Sequence, residues 1–258
     1  MKKLLLGMVG LIALGMAPAS AADIAARPYT KAPPPPPPVY DWSGFYVGGN
    51  GGWGDQRDCF NAVNAAGAFL GNEGCHDSTG GVVGGQIGYR WQVTQWVFGV
   101  EGQGDWASLR GSNISLLFPA FRNISKMEAF GLLTGQVGYA WNNILVYVKG
   151  GAAVTDNRRD ILFVATNTIV GTNTNTEWGG TVGVGVEYGF APNWSFALEY
   201  DHIFSNDRTT TFFVPGTSTA FAFDRIRSNV DLVTARLDYH FNWAGAGAPW
   251  GGPGLAKY

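Results

Sequence analysis

Nine charged residues stand out because each of them alternates with apolar neighbours along the chain. Three are basic and six are acidic, and they are Arg90, Glu101, Asp105, Lys149, Glu187, Glu199, Asp201, Arg236 and Asp238. Mixed charges on one face can form a buried network of ion pairs, or they can line a narrow conducting path. We favour the network, and we expect Arg90 to pair with Glu101 because both flank the same tight turn on adjacent strands.

The histidines offer little catalytic chemistry. None of His76, His202 and His240 has the spacing to a nucleophile or to other ligands that a catalytic triad or a metal site needs. Asp238 and His240 share a face, which leaves a lipid-modifying hydrolase open, but the sequence identifies no partner serine. We therefore predict no enzymatic activity, no cofactor and no metal.

Cys59 and Cys75 are the two cysteines of the chain, and both lie in one polar stretch. In an exported protein such a pair is expected to form a disulfide bond, with a stabilisation of about 3 kcal/mol for a loop of this size. A metal site that includes the adjacent His76 is the alternative, although further ligands are missing.

Residues 1–22 have the pattern of a secretory signal peptide. Lys2 and Lys3 precede an apolar run at 4–16 that is too short to span a bilayer, and small residues at 19–22 provide two alternative cleavage sites. An uncleaved anchor is the other interpretation. Without the signal, the chain has 15 basic and 19 acidic residues, which gives a net charge of about −4. Because nucleic acid is itself negatively charged, we expect no nucleic-acid partner.

The stretch from 178 to 202 predicts a β-hairpin with one apolar face. Trp178, Val184 and Leu198 occupy alternate positions that form one face, and small or charged residues such as Glu187 occupy the positions between them. An Ala-Pro-Asn turn separates the two halves. A soluble barrel would bury the apolar face inside. A membrane barrel presents that face to lipid and fills its lumen with the polar residues, and we favour this interpretation over a soluble lipocalin-like carrier.

The same alternation recurs through the chain and predicts an all-β fold. The predicted class is an eight-stranded antiparallel up-and-down transmembrane β-barrel within residues 42–241. Three tight turns alternate with four long loops, which we place at 55–79, 107–126, 156–175 and 203–224. A proline-rich periplasmic segment at 23–41 precedes the barrel, and a Gly/Pro-rich tail at 242–258 follows it.

Several sequence motifs resemble one known family. They are W-S-G-F-Y-V-G-G-N-G-G-W-G, F-G-V-E-G-Q-G-D-W, Y-V-K-G-G-A-A and T-V-G-V-G-V-E-Y-G-F-A-P-N-W-S, after a signal that ends in A-S-A-A-D. Over residues 42–241 the chain resembles the outer-membrane immunogenic, opacity-type small porin family of alphaproteobacteria. The resemblance implies an abundant, surface-exposed outer-membrane barrel.

The resemblance also implies a function. We expect a structural barrel that contributes to envelope integrity, with at most weak porin-like activity. The alternative is a surface-exposed adhesin or a ligand-binding module, for example for haem, that uses the four long loops.

The expected partners follow from this location. They are outer-membrane lipid, lipopolysaccharide and the barrel-assembly machinery, and homo-oligomers stay open. Phe241 matches the terminal aromatic residue that the machinery reads in such barrels, although here a 17-residue tail follows it.

Overall fold

The computed structural model of the protein describes residues 40–205 and 208–241. The predicted signal peptide at 1–22, most of the predicted periplasmic segment at 23–41 and the tail at 242–258 lie outside these residues. The described chain forms nine strands: β1 (Gly44–Val63), β2 (Phe69–Val93), β3 (Trp96–Ile114), β4 (Phe121–Trp141), β5 (Ile144–Phe163), β6 (Thr168–Ala191), β7 (Trp194–Ser205), β8 (Arg208–Phe213) and β9 (Ala220–Phe241). No helix in these residues is long and apolar enough to span a membrane.

The strands close into a barrel. Each strand from β1 to β7 pairs antiparallel with the next one, and β9 pairs with both β7 and β1, from Phe45 opposite Phe241 to Val63 opposite Phe223. Both β7 and β8 lie between β6 and β9, so the nine described strands fill eight places in the sheet. The predicted eight-stranded up-and-down β-barrel is confirmed.

The apolar side chains lie on the outside of the barrel. Val184 and Leu237 are 45% and 46% exposed, whereas Glu187 and Arg236 on the same strands are 0% and 1% exposed. A soluble barrel would show the reverse distribution, because its apolar residues would leave water by pointing inward. The outside of this part of the barrel therefore faces lipid.

Two bands of aromatic residues bound the lipid-facing surface. The periplasmic band flanks the tight turns and includes Trp96 and Tyr188. The second band consists of Trp53, Trp106 and Trp178, which are 60–73% exposed, and we call it the outer tryptophan ring. About ten residues separate the two bands along a strand, which corresponds to an apolar layer of about 25 Å for strands tilted by about 40°.

The prediction of four long loops is wrong. The strands continue far beyond the outer tryptophan ring, as the register from Asp55 opposite Thr79 to Cys59 opposite Cys75 shows for β1 and β2. Short segments connect them at 64–68, 115–120, 164–167 and 214–219. We call the strand parts beyond the ring the extension, which comprises residues 54–80, 107–128, 155–177, 204–205 and 208–232.

The extension escaped prediction because it has no lipid to face. Most of its outward side chains next to the ring, such as Asp55, Arg57 and Asp77, are polar, so the apolar alternation that indicates a membrane strand is lost. The tight turns were predicted better. The tight turn between β4 and β5 consists of Asn142 and Asn143, and Asn142 has the positive φ of 54° that such a two-residue turn favours.

Candidate functional site in the barrel lumen

Strand alternation turns every second residue toward the barrel axis, and the lumen is filled in layers. Strand β9 contributes inward residues to every layer. From the periplasmic end to the outer end they are His240, Asp238, Arg236, Thr234, Leu232, Val230, Ser228, Ile226 and Asp224. Charged and apolar levels thus alternate along the axis. An eight-stranded barrel is just narrow enough for side chains to fill it.

The periplasmic end is closed by aromatic residues that precede β1. Trp42 is fully buried and Tyr40 is 8% exposed, and they cluster with Leu145 and Tyr147. The backbone N–H of Trp42 donates to Gln92 Oε1 at 3.1 Å. The barrel that we predicted from residue 42 has its first strand from Gly44, because the chain enters the lumen before β1 starts.

All nine predicted charged residues lie inside the barrel and are at most 4% exposed. Arg236 contacts Glu101 closely, lies 2.6 Å from Glu199 and 3.6 Å from Asp238. Lys149 also contacts Glu199 closely and lies 3.6 Å from Glu101.

The network also includes Asp201 and the amide side chains of Gln86 and Gln103. Lys149 lies 3.2 Å from Asp201. Gln86 donates to Asp238 at 2.7 Å, and Gln103 donates to Asp105 at 2.9 Å. Three cations and six carboxylates are thus held together, with amide side chains satisfying carboxylates that lack a close cation.

The structure does not contain the expected pair of Arg90 and Glu101. Arg90 is paired with Glu187 at 2.8 Å instead. The ring of Tyr46 occupies the space above Gly88, so the guanidinium of Arg90 stacks 4.4 Å from that ring and the hydroxyl of Tyr46 donates to Glu101 at 2.7 Å. The missing side chain at a glycine thus admits a third residue between the two expected partners.

The structure also places a serine beside His240, which sequence reasoning did not find. The hydroxyl of Ser195 is 2.8 Å from Nε2 of His240 and 2.5 Å from Oε1 of Glu187. In a catalytic triad the carboxylate orients the histidine through the other ring nitrogen. Here Glu187 lies on the Nε2 side, Nδ1 has no hydrogen-bond partner among the described residues, and Ser195 is fully buried.

An apolar layer fills the lumen near the level of the outer tryptophan ring. Nine buried residues from six strands meet there: Val82, Leu109, Met127, Phe130, Leu132, Ala153, Ile203, Val230 and Leu232. They occupy inward positions on strands whose other inward residues are charged. This layer was missed because the prediction followed the charged residues of the lumen.

A second polar level and a second apolar level lie inside the extension. Arg159 is 2.5 Å from Glu177 and 3.5 Å from Asp58, and all three are buried. Beyond them the residues Phe60, Ile161, Phe212 and Ile226 form a further apolar cluster. Most of these side chains lie in segments that we had assigned to loops, so their inward direction could not be read from the sequence.

Cys59 and Cys75 form a disulfide bond. They lie directly opposite each other on β1 and β2, with a Cα to Cα distance of 4.1 Å, on the outer face of the extension. The bond therefore links two paired strands above the membrane.

Phe241 is the last residue of β9, points outward and lies opposite Phe45.

A lipid-facing apolar surface, two aromatic bands and a filled polar lumen define an integral outer-membrane β-barrel of the small, eight-stranded class. The chain belongs to the outer membrane protein beta-barrel domain family, whose sequence profile matches residues 9–241. The protein is therefore located in the bacterial outer membrane.

Named relatives agree with this assignment. The chain is 28% identical over 201 residues to the 31 kDa outer-membrane immunogenic protein of Brucella melitensis. This alignment covers 75% of this chain and 83% of that protein. It is 31% identical over 169 residues to the 22 kDa outer membrane protein of Rhizobium leguminosarum, with 63% and 64% covered. The predicted alphaproteobacterial family resemblance is confirmed.

Among solved structures, the outer membrane protein OprG from Pseudomonas aeruginosa aligns with 78% of this chain and 98% of its own, at 12% identity and a TM-score of 0.49. The assignment to the family rests on the sequence match.

Proposed function

We propose that the protein is a structural barrel that contributes to the integrity of the outer membrane and does not conduct solutes. The apolar layer of nine residues across the lumen carries this proposal. A conducting path needs continuous water or polar ligands, and a hydrophobic constriction stops flow by excluding water. The aromatic residues at the periplasmic end, Tyr40 and Trp42, add a second closure.

The ion-pair network supports the same function. Each cation contacts at least one carboxylate, and a buried charge with close partners satisfies the polar interior. Such a filled lumen ties the strands together through side chains as well as backbone hydrogen bonds. The proposal includes the absence of enzymatic activity, because Ser195 is buried and, within residues 40–205 and 208–241, no carboxylate contacts Nδ1 of His240, the side that a triad requires.

Conductance in planar bilayers tests the closed lumen. We expect the refolded protein to show no reproducible conductance, since the layer excludes water. Leu109→Ala and Phe130→Ala in the layer, combined with Trp42→Ala at the periplasmic end, should introduce measurable conductance because together they open both closures. Leu133→Ala, on the lipid-facing side of the same strand as Phe130, is the matched control and should stay silent. Reproducible ohmic conductance of the unmodified protein would refute the proposal.

A further inference from the structure

A cavity of about 290 Å³ lies at the outer end of the barrel, within the extension. This volume is at the small end of ligand sites. Phe118, Phe121 and Phe221 form aromatic walls, and Phe118 belongs to the short connection between β3 and β4. The remaining walls are mostly aliphatic, whereas Glu73 and Asp224 contribute carboxylates. The cavity thus combines an apolar body with an acidic part.

The acidic part has hydrogen-bonding capacity that the protein does not use. Asp224 is 1% exposed, and its Oδ2 has no hydrogen-bond partner among the described residues. Asn123, also 1% exposed, donates through Nδ2 to Glu73 Oε2 at 2.9 Å, while its own Oδ1 stays without a partner in the same part of the chain. Leaving buried acceptors unpaired costs free energy, so a ligand that donates hydrogen bonds would be stabilised here.

No protein cation compensates these carboxylates within the described residues, because none of the ion pairs found there includes Glu73 or Asp224. Asp224 lies nine residues beyond Val233 on β9, outside the apolar layer of the membrane. Burial and the neighbouring Glu73 raise the pKa of Asp224 to about 7. The facing positions on β1 and β8 are Ala62 and Thr210, which do not titrate in this range.

From this geometry we propose that the cavity binds the primary ammonium group of a small amphiphilic amine, with its apolar body against the phenylalanine rings. A primary ammonium offers three N–H donors, which match the free oxygens of Asp224 and Asn123 and the carboxylate of Glu73. Aromatic faces attract cations, and they also bury an apolar body. A quaternary ammonium offers no donor and would leave both acceptors unpaired.

This inference is independent of the closed lumen, since the cavity lies on the outer side of the apolar layer. The test uses the full barrel refolded in lipid nanodiscs and titrated with 2-phenylethylammonium at pH 8 by calorimetry. We expect saturable binding with one site, and Asp224→Asn should weaken it by about ten-fold or more, the effect of losing a charge-assisted hydrogen bond. The matched control Asp77→Asn removes an exposed carboxylate of the extension and should leave the affinity unchanged.

Two further probes separate the chemical contributions. The neutral 2-phenylethanol and the N,N,N-trimethyl derivative should both bind more weakly than the primary amine. The affinity for the primary amine should rise as the pH increases from 6 to 8, because Asp224 ionises in this interval.

Three outcomes would overturn the site. Equal heats for the unmodified protein and Asp224→Asn would mean that the amine only partitions into lipid. Equal or tighter binding of the trimethyl derivative would contradict the role of hydrogen bonds in the site. Absence of saturable binding would show that there is no site. If Asp224→Asn fails to fold, Asn123→Leu serves in its place, because it removes the second free acceptor and keeps the number and branching of the side-chain heavy atoms. An unchanged affinity in that variant would equally contradict the proposal.

Discussion

Below the outer tryptophan ring the barrel wall is apolar outside and charged inside, whereas in the extension the outer face is mostly polar and the interior combines apolar clusters with the ion pairs of Arg159. Strand β9 shows both arrangements within one segment. In the membrane, Leu237 points outward and Arg236 points inward, while in the extension Arg225 points outward and Ile226 is buried inside. One strand therefore carries a membrane-type pattern and a soluble-type pattern in sequence.

The difference shows that the surroundings of each face decide which residues occupy it. Lipid provides an apolar medium for the outer face of the lower part, so its polar residues collect in the lumen and pair there. Water surrounds the extension, so its apolar residues collect inside, as in a small soluble barrel. The apolar layer that includes Leu232 closes the lumen where the two regimes meet.

The largest effect should come from breaking the charge network of the lower region. Arg236→Met removes the closest cation of Glu101 and one of the two cations that contact Glu199, and we expect a loss of about 3–5 kcal/mol in the free energy of unfolding. Urea titration in lipid vesicles measures it. Arg225→Met makes the same change on the outer face of the extension and should alter stability by less than about 0.5 kcal/mol. Similar losses for both variants would contradict the comparison.

The apolar interior of the extension should respond to truncation as a soluble core does. We expect Ile226→Ala to cost about 2–5 kcal/mol and Ile226→Val about 0.5–1.5 kcal/mol, because the cavity grows with each removed methyl group. Unfolding titrations combined with amide hydrogen exchange of the extension give both values. No difference between the two variants would show that this interior is not packed.

A charge on the outer face should be costly only below the ring. Val184→Arg, near the middle of the lipid-facing surface, is expected to cost about 2–4 kcal/mol. Thr176→Arg lies on the same strand and the same face, but in the extension, and should cost less than about 0.5 kcal/mol. If Thr176→Arg proves as damaging as Val184→Arg in the same vesicles, the lipid boundary lies further out than the ring.

The smallest effect concerns the pH dependence of the extension. Because the pKa of Asp224 in the folded state is raised to about 7, its stabilising contribution is present at low pH and is lost as the pH rises through that value. We expect the unmodified protein to lose about 1 kcal/mol between pH 6 and pH 8.5 relative to Asp224→Asn. Thermal unfolding of both proteins at the two pH values measures this difference, and parallel behaviour would place the pKa elsewhere.

The sequence predicted the lower region well because one face of each strand must suit lipid. Alternation such as that around Val184 and Glu187 gives the strand and its two faces, and a tight turn such as the one at Asn142 gives the connection to the next strand. The extension could not be predicted in this way. Its outward residues include Phe69 and Leu70 besides Asp55, and its inward residues mix Arg159 with Ile161, so neither face has a uniform pattern.

The lumen was predictable only as a set of residues, and the partners within the set were not. Parity identifies Arg90 and Glu101 as inward, but the choice of Glu187 as the partner of Arg90 depends on where the ring of Tyr46 packs. The packing of Tyr46 in turn depends on the missing side chain at Gly88. Contacts between three or more strands of this kind are set by the closed barrel and cannot be read from one strand.

The most direct test of the central comparison is a series of spin labels along the outer face of β9. Labels placed singly at positions 237, 233, 229 and 225 in the barrel reconstituted in lipid bilayers would report collision rates with oxygen, which enriches in lipid, and with a water-soluble nickel complex. The account predicts that oxygen dominates at positions 237 and 233 and that the nickel complex dominates at positions 229 and 225. Oxygen-dominated collisions at 229 and 225 would show that the extension lies in lipid, which would contradict the change of the outer face from apolar to mostly polar at the outer tryptophan ring.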